Sequence, residues 1–382
     1  EIRLSTHAFV PLKELVTDQD TIVQSLTLAS RFEPDLKIDL SKITDTHFGY
    51  PLYMRDYKLF THHLIDERSP GTAIDLSLKE NFTLRPNQKP LIQKFKVQLA
   101  AGRTGWLINM PTGSGKTVCA CCMLQAIGRT TLIIVPRESL MSQWIDRIQQ
   151  FTTIRENEIG IAQQDICEFE GKKVVIGMIH SLAKDKYSDA FKNAFGLVIW
   201  DEVHVAAAQT FSQTLSIFAP RYRIGMSATL LRRDGLDAIY RWSIGEEILS
   251  IDSHTLINPT VYMQQYKAKK KNSFIDHIAD NQKRRGKLIS ELASDKDRNI
   301  LLSCKIAEIA KTERRVVVFS ERKKQLTDLK KFLLDLQMLD SEKVHLFTGE
   351  TKENDRKKIL AESQIILATY GVMSMGIDVP DL

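Results

Sequence analysis

The sequence predicts an α/β protein: two parallel sheets in tandem behind a small α+β N-terminal piece. Short apolar runs alternate with helical patterns from about residue 82 to residue 251, as in strands covered on both faces by helices. The same rhythm returns between residues 315 and 368. Between the first such strand and its helix lies the run Met110-Pro111-Thr112-Gly113-Ser114-Gly115-Lys116-Thr117. A glycine loop opening a helix turns backbone N–H groups and the positive end of the helix dipole toward an anion.

Taken in order, residues 1–80 hold strand-like fragments at 2–4, 53–60 and 73–78 and lack the strand–helix rhythm. Residues 81–252 form the first α/β domain, with strands expected at 106–110, 131–135, 174–177, 197–200 and 223–226, and helices at 117–127, 137–150 and 205–218. Residues 253–312 are polar and rich in Lys and Arg, with helical spacing in their second half, and read as a linker. Residues 313–382 are the second α/β domain, with strands at 315–319, 344–347 and 365–368.

The candidate chemistry starts at the glycine loop. Backbone amides of Thr112, Gly113, Ser114 and Gly115 would cradle phosphates, Lys116 would supply a cation for the outer ones, and the Thr117 hydroxyl is a hard oxygen for Mg²⁺. The strict pattern wants Gly where this chain has Met110. Asp201-Glu202-Val203-His204 follows the apolar run 197–200. In a parallel sheet both motifs converge on the carboxyl edge, where Asp201 would hold Mg²⁺ and Glu202 would deprotonate the attacking water.

With those two motifs the chain resembles superfamily 2 helicases and translocases of the DEVH-box kind over residues 82–382. The resemblance implies two RecA-like domains, ATP and Mg²⁺ as cofactors, and a catalytic set of Lys116, Asp201, Glu202 and His204. Leu84-Arg85-Pro86-Asn87-Gln88 resembles the adenine-sensing segment, with Arg85 and Gln88 as readers of the base. Val135-Pro136-Arg137-Glu138-Ser139-Leu140 resembles motif Ia, and Ile179-His180-Ser181-Leu182 the next strand-contacting segment. Together these imply Pro136, Arg137, Ser139, His180 and Ser181 on the DNA. Ser227-Ala228-Thr229 resembles motif III, so Ser227 and Thr229 would couple hydrolysis to movement. Phe319-Ser320 with Arg322 resembles motif IV, and Ala368-Thr369-Tyr370 with Gly376-Ile377-Asp378 motif V. Ser320, Arg322 and Thr369 would then touch DNA, and Gly376 and Asp378 nucleotide. The Arg-Asp-Gly extension at 233–235 is similar to XPB-like and phage UvsW-type DNA helicases, which implies action on branched or forked DNA, single-strand tracking and 3′ to 5′ polarity. The family's last motif, with its arginine fingers, would lie beyond Leu382; its absence implies a piece that binds ATP better than it hydrolyses it.

Charge and composition set the outer bounds. Residues 1–80 carry 9 basic and 13 acidic groups (net −4), while 81–250 and 251–382 are each net +5, a balance compatible with a polyanion partner. Lys269 and Lys270, in the basic run 267–271, are candidate phosphate contacts, against the plain alternative of a solvated face. Tyr53, Arg55 and Tyr57 would share one strand face, placed either to meet DNA or, as the acidic surroundings favour, to pack in the core. Cys119, Cys121 and Cys122 read as small packing residues rather than metal ligands. No apolar run is long enough to span a bilayer; a cytoplasmic location and a monomer are expected. Two other functions stay open: a duplex translocase subunit of a restriction or remodelling complex, and an ATP-gated DNA clamp. An RNA helicase is a further enzymatic alternative.

Overall fold

The computed structural model describes residues 2–15, 17–32, 35–54, 64–80, 82–208, 210–246, 248–251, 260–267, 282–335 and 340–373, and the chain divides into two compact units, 1–257 and 258–382. The α/β expectation holds: each unit is built on a parallel sheet.

Unit 1 opens with β1 (Ile2–Leu4), β2 (His7–Pro11), α1 (Gln19–Leu26), β3 (Thr27–Ala29), β4 (Lys37–Asp39), β5 (Lys42–Ile43), β6 (His47–Pro51) and β7 (Leu64–Asp66). Five of these strands form a sheet in the order β5-β6-β2-β1-β7, antiparallel except where β7 runs alongside β1. Ile2, Val10, Leu26, Phe48 and Tyr50 close a small core beneath it.

The chain continues through α2 (Lys89–Ala100), β8 (Gly105–Asn109), α3 (Lys116–Ile127), β9 (Thr131–Val135), α4 (Glu138–Phe151), β10 (Ile159–Gln163), β11 (Ile166–Cys167), β12 (Val174–Met178), α5 (Ile179–Leu182), α6 (Asp189–Lys192), β13 (Leu197–Asp201), α7 (Thr214–Ile217), β14 (Tyr222–Ser227), α8 (Ala238–Ile244) and β15 (Ile248–Ser250). The eight strands are ordered β11-β10-β12-β9-β13-β14-β8-β15, and all run parallel but β11. Strand side chains alternate between two buried faces. Trp106, Ile108, Ile133 and Ile199 pack under Phe95, Met123 and Trp144, while Leu107, Leu132, Val198 and Trp200 pack under Phe191, Phe218 and Tyr240. Two covered faces explain the near-continuous apolar strands.

The N-terminal sheet packs on this domain within the same unit. The Tyr53 hydroxyl meets Thr104 Oγ1 at 3.0 Å, and the Arg68 guanidinium donates to Thr104 Oγ1 at 3.1 Å and to the Arg221 carbonyl at 3.3 Å. Tyr53 is therefore a packing residue, while Arg55 and Tyr57 lie outside the described residues. Arg223, fully buried on β14, donates to the carbonyls of Leu215, Phe218 and Ser243 at 2.7–3.0 Å. Those charge-assisted bonds offset the cost of burying the cation.

Unit 2 comprises α9 (Gln282–Ser294), α10 (Lys296–Ala310), β16 (Val316–Ser320), α11 (Lys323–Asp335), β17 (Val344–Phe347), α12 (Glu353–Glu362), β18 (Ile365–Thr369) and α13 (Tyr370–Met373). Its parallel sheet runs β16-β18-β17, covered by Ile306 and Ala307 of α10 and Leu326, Leu329 and Leu333 of α11. Residues 282–310, expected as a linker, thus form part of this unit's packing. A buried polar line, Ser320 to Gln325 at 2.7 Å and Gln325 to Asn299 at 2.9 Å, ties α10 to the end of β16.

Two expectations are corrected. The helix expected at 205–218 is a 3₁₀ turn (Val203–Ala207) and the short α7. Thr214 and Ser216 donate their hydroxyls to the carbonyls of Phe211 and Gln213, competing with a continuous helical ladder. The strand expected at 73–78 is an extended strap, bridged only at its ends: Ala73 to Arg129 and Leu78 to Thr152.

One buried group makes stability pH-dependent. Burial, aided by Lys42 and Arg223, lowers the His7 pKa to about 3, and the neutral ring is bonded to Thr6 Oγ1 (3.1 Å) and the Leu40 carbonyl (3.2 Å). Between that value and the unfolded value of about 6.5 the unfolded chain binds the extra proton, so this contribution is complete above pH 6.5 and declines as pH falls. We expect denaturant unfolding from pH 7.5 to 5.5 to show a loss of about 1 kcal/mol that His7→Gln removes.

Candidate nucleotide and nucleic-acid site

β8, β14 and β13 are neighbours in the sheet, and their registers pair Asn109 with Ser227 and Asp201 with Met226. Their carboxyl ends therefore share one edge, where an open α/β sheet places its ligand. The glycine loop follows β8. Gly113 and Gly115 have φ of +75° and +87°, a region costly for any side chain. Met110 buries its side chain fully, and its N–H donates to the Ser227 carbonyl at 3.0 Å. Its backbone has no need of the glycine that the strict pattern asks for.

Glu202 also adopts a left-handed conformation, with φ 49°. This sharp reversal after β13 brings its carboxylate to the loop: Lys116 Nζ donates to Glu202 Oε1 at 2.6 Å, with both side chains about seven-eighths buried. His204 Nδ1 lies 3.4 Å from Glu202 Oε2 and 2.8 Å from Ser227 Oγ. Ser227 Oγ donates in turn to the Thr229 carbonyl at 3.0 Å. One hydroxyl proton cannot serve both neighbours, so the consistent tautomer has His204 Nδ1–H donating to Ser227. Burial lowers the His204 pKa, Glu202 opposes that shift, and Arg232 and Lys116 reinforce it. Arg232 donates to the His204 carbonyl and is paired with Asp234, which clamps the turn from below.

Asp201 is buried at the end of β13. Its Oδ1 accepts from the Glu202 N–H at 3.0 Å and its Oδ2 from the Trp144 indole at 2.8 Å. Burial first, then the Glu202 charge, raises its pKa to about 6, against the opposing effects of Lys116 and Trp144. Thr117, in the first turn of α3, and Asp201 present hard oxygens, a set that fits Mg²⁺ held jointly with phosphate and water. Among the described residues no cluster of three His, Cys, Asp or Glu forms a closed metal cage.

Beside the loop lies a cavity of about 300 Å³ lined by Phe82, Arg85, Gln88, Gly115, Gln150 and Phe151, among others. Gln88 is buried: its Nε2 donates to the Ser114 carbonyl at 2.8 Å and its Oε1 accepts from the Arg85 N–H at 2.9 Å. Arg85 donates to the Gly113 carbonyl at 3.2 Å. Both residues expected to read a base are thus fastened to the loop. Phe82 and Phe151, edge to face at 5.8 Å, and the Trp144 contact escaped the sequence reading. The helix was expected to end at 150, one residue short of Phe151, and its contact across the cavity carries no signal in the pattern.

Of the residues expected on nucleic acid in unit 1, Pro136 is buried, Arg137 caps α4, and Ser139 sits in its first turn. His180 is exposed against Phe211, whereas Ser181 is buried and accepts from the Gln164 N–H at 2.8 Å. Thr112 and Thr229 are exposed. In unit 2, Ser320 is buried, Arg322 donates to Ser290 Oγ and the Gly286 carbonyl at 3.0 Å each, and Thr369 ends β18. Lys269, Lys270, Gly376 and Asp378 lie outside the described residues.

Residues 81–232 match the family described as type III restriction enzyme, res subunit. A protein of Acanthamoeba polyphaga mimivirus, named as an ATP-dependent RNA helicase, is 32% identical over 305 residues, covering 78% of this chain and 57% of its own length. A DNA 3'-5' translocase of the XPB type from Sulfurisphaera tokodaii is 26% identical, covering 94% of this chain and 87% of its own. A solved fragment described as an HsdR subunit of a type I restriction enzyme, from Vibrio vulnificus, aligns with a TM-score of 0.51 at 17% identity over 79% of this chain and 56% of its own; the likeness is one of fold. By sequence the chain is similar to helicases and translocases of the superfamily 2 type, the XPB group among them. The chain spans about half the length of the first curated relatives it matches (57%, 44% and 54%).

A methyl at Gly115 would meet Gln88 Nε2 at 2.3 Å as well as the unfavourable φ. Gly115→Ala should therefore break the Gln88–Ser114 bond and weaken ATP binding about tenfold or more, measured by calorimetry, with a smaller change in melting temperature.

Proposed function

We propose that the chain carries the motor of an ATP-dependent DNA helicase or translocase, acting on forked or branched DNA with 3′ to 5′ polarity. The observation that carries this reading is the Lys116–Glu202 pair with His204 and Ser227 behind it. In the structure Lys116 satisfies Glu202. An incoming terminal phosphate is the stronger partner for the ammonium, so binding transfers Lys116 to phosphate and frees the Glu202 carboxylate to accept a proton from water. Thr117 and Asp201 would hold Mg²⁺, which would supply charge neutralisation on the phosphates. Freed from Lys116, Glu202 turns toward His204, and the His204–Ser227–Thr229 line carries the change to the exposed Thr229. Arg137 and Ser139 on α4, His180 after β12, and Arg322 and Thr369 in unit 2 are the proposed backbone contacts, suited to a motor that ignores sequence, while Ser320 is buried against Gln325. Lys269 and Lys270 would add phosphate contacts, and Gly376 and Asp378 would face nucleotide.

DNA rather than RNA is supported by the relative named as a DNA translocase, which matches nearly the whole chain. Branched substrates are supported by the N-terminal sheet seated on the motor through Tyr53 and Arg68. A second reading, duplex tracking without strand separation, draws support from the word translocase in that relative's name and from the restriction-enzyme family matched over residues 81–232.

Forked DNA, a four-way junction, blunt duplex and RNA should be compared as ATPase stimulants and unwinding substrates. We expect forks and junctions to stimulate most; stimulation by RNA alone overturns the DNA assignment, and tracking without displacement selects the second reading. Lys116→Ala should lower ATP affinity more than tenfold. Glu202→Gln should retain nucleotide and DNA binding while turnover drops at least about a hundredfold. Unchanged turnover in Glu202→Gln would remove it as the base.

A further inference from the structure

Helix α4 touches three places that matter, and one side chain in its middle has no part in the mechanism above. Its N-cap is Arg137, directly beyond β9, and its last residues, Gln150 and Phe151, line the cavity beside the glycine loop. Between them Leu140, Met141, Trp144 and Ile148 are buried on one face against the sheet. A helix of 14 residues extends about 21 Å as one stiff element.

Trp144 is 2% exposed, and its indole N–H donates to Asp201 Oδ2 at 2.8 Å. The other carboxylate oxygen accepts from the Glu202 backbone N–H at 3.0 Å. A carboxylate has about four acceptor positions, so two donors fix its plane and leave lone pairs for a cation. An indole nitrogen only donates; it can neither ligate a metal nor move a proton, which leaves orientation as its use. Nor is the bond forced by burial alone. Trp200, on the same strand as Asp201, buries its indole N–H without any acceptor among the described residues. Phe at 144 would fill most of the same space, so the N–H is the distinctive chemistry of Trp at this place.

We infer that Trp144 is a positioning residue through which α4 holds Asp201 oriented for a divalent cation carried by the nucleotide. Because α4 is rigid, anything that shifts its N-terminal end, nucleic acid included, also shifts the donor at Asp201 and Phe151 at the cavity. This inference rests on the nucleotide reading of the site.

The test separates nucleotide binding from metal binding. Affinity for a non-hydrolysable ATP analogue is measured in EDTA and in Mg²⁺, with and without forked DNA, for wild type, Trp144→Phe and Trp144→benzothienylalanine. The last variant keeps the ring size and replaces N–H by sulfur. We expect metal-free affinity within twofold of wild type in the benzothienylalanine variant, while the gain on adding Mg²⁺ falls about tenfold and forked DNA no longer alters it. If Trp144→Phe alone loses stability or metal-free affinity, its packing is at fault and the isosteric variant decides. A benzothienylalanine variant with the wild-type Mg²⁺ gain overturns the inference. A wild-type protein that binds no nucleotide overturns the reading beneath it.

Discussion

Lys116 and Glu202 meet because the sheet brings two strand ends to one edge and two unusual backbone turns aim their side chains at each other. The lysine opens α3 after a loop whose glycines take positive φ, and the glutamate sits in a left-handed turn that a non-glycine residue adopts at a cost of about 1 kcal/mol or more. Their ion pair is 2.6 Å long, and on the proposed reading a terminal phosphate would contest it. A mostly buried pair is strongly coupled to its partners: remove one member and the other is left charged and poorly solvated. On the proposed reading, a nucleotide that drew Lys116 away would leave Glu202 charged and poorly solvated, so everything bonded to Glu202 would feel the exchange.

The surroundings keep that exchange local. His204 and Ser227 leave one consistent direction for their hydrogen bonds, ending at the Thr229 carbonyl, and Arg232 fixes the turn that carries His204. Asp201 is held by two donors, one from its neighbour's backbone and one from α4. The strands behind these groups are buried almost completely, so their ends have little room to drift. The site's rigid parts are the sheet and α4; its movable parts are side-chain ends.

Much of this architecture was legible in the residues. Strands β9, β12 and β13 follow from near-continuous apolar runs between turn residues, because a doubly covered strand tolerates few polar side chains; β14 fits the rhythm despite its buried Arg223. α4 was equally plain from its spacing. The helix expected at 205–218 failed because local hydroxyl bonds broke a stretch whose apolar content looked helical. The strap at 73–78 alternates like a strand but forms β-bridges only at its ends. Strands β2 and β6 of the N-terminal sheet went unseen, since both end on proline and one contains glycine.

For the site, the sequence by itself determined the chemical inventory: a glycine loop with Lys116 and Thr117, and an acid pair at the end of a buried strand. Glycine permissiveness, strand burial and helix dipoles are local properties, so order and spacing carry them. Pairings were decided only by tertiary structure. That Gln88 fastens the loop, that Glu202 occupies Lys116, and that an indole from α4 holds Asp201 are facts about chains 26, 86 and 57 residues apart in sequence. Hydrogen bonds of that range depend on strand order and on the direction of single N–H and O–H bonds, which no residue pattern along the chain records.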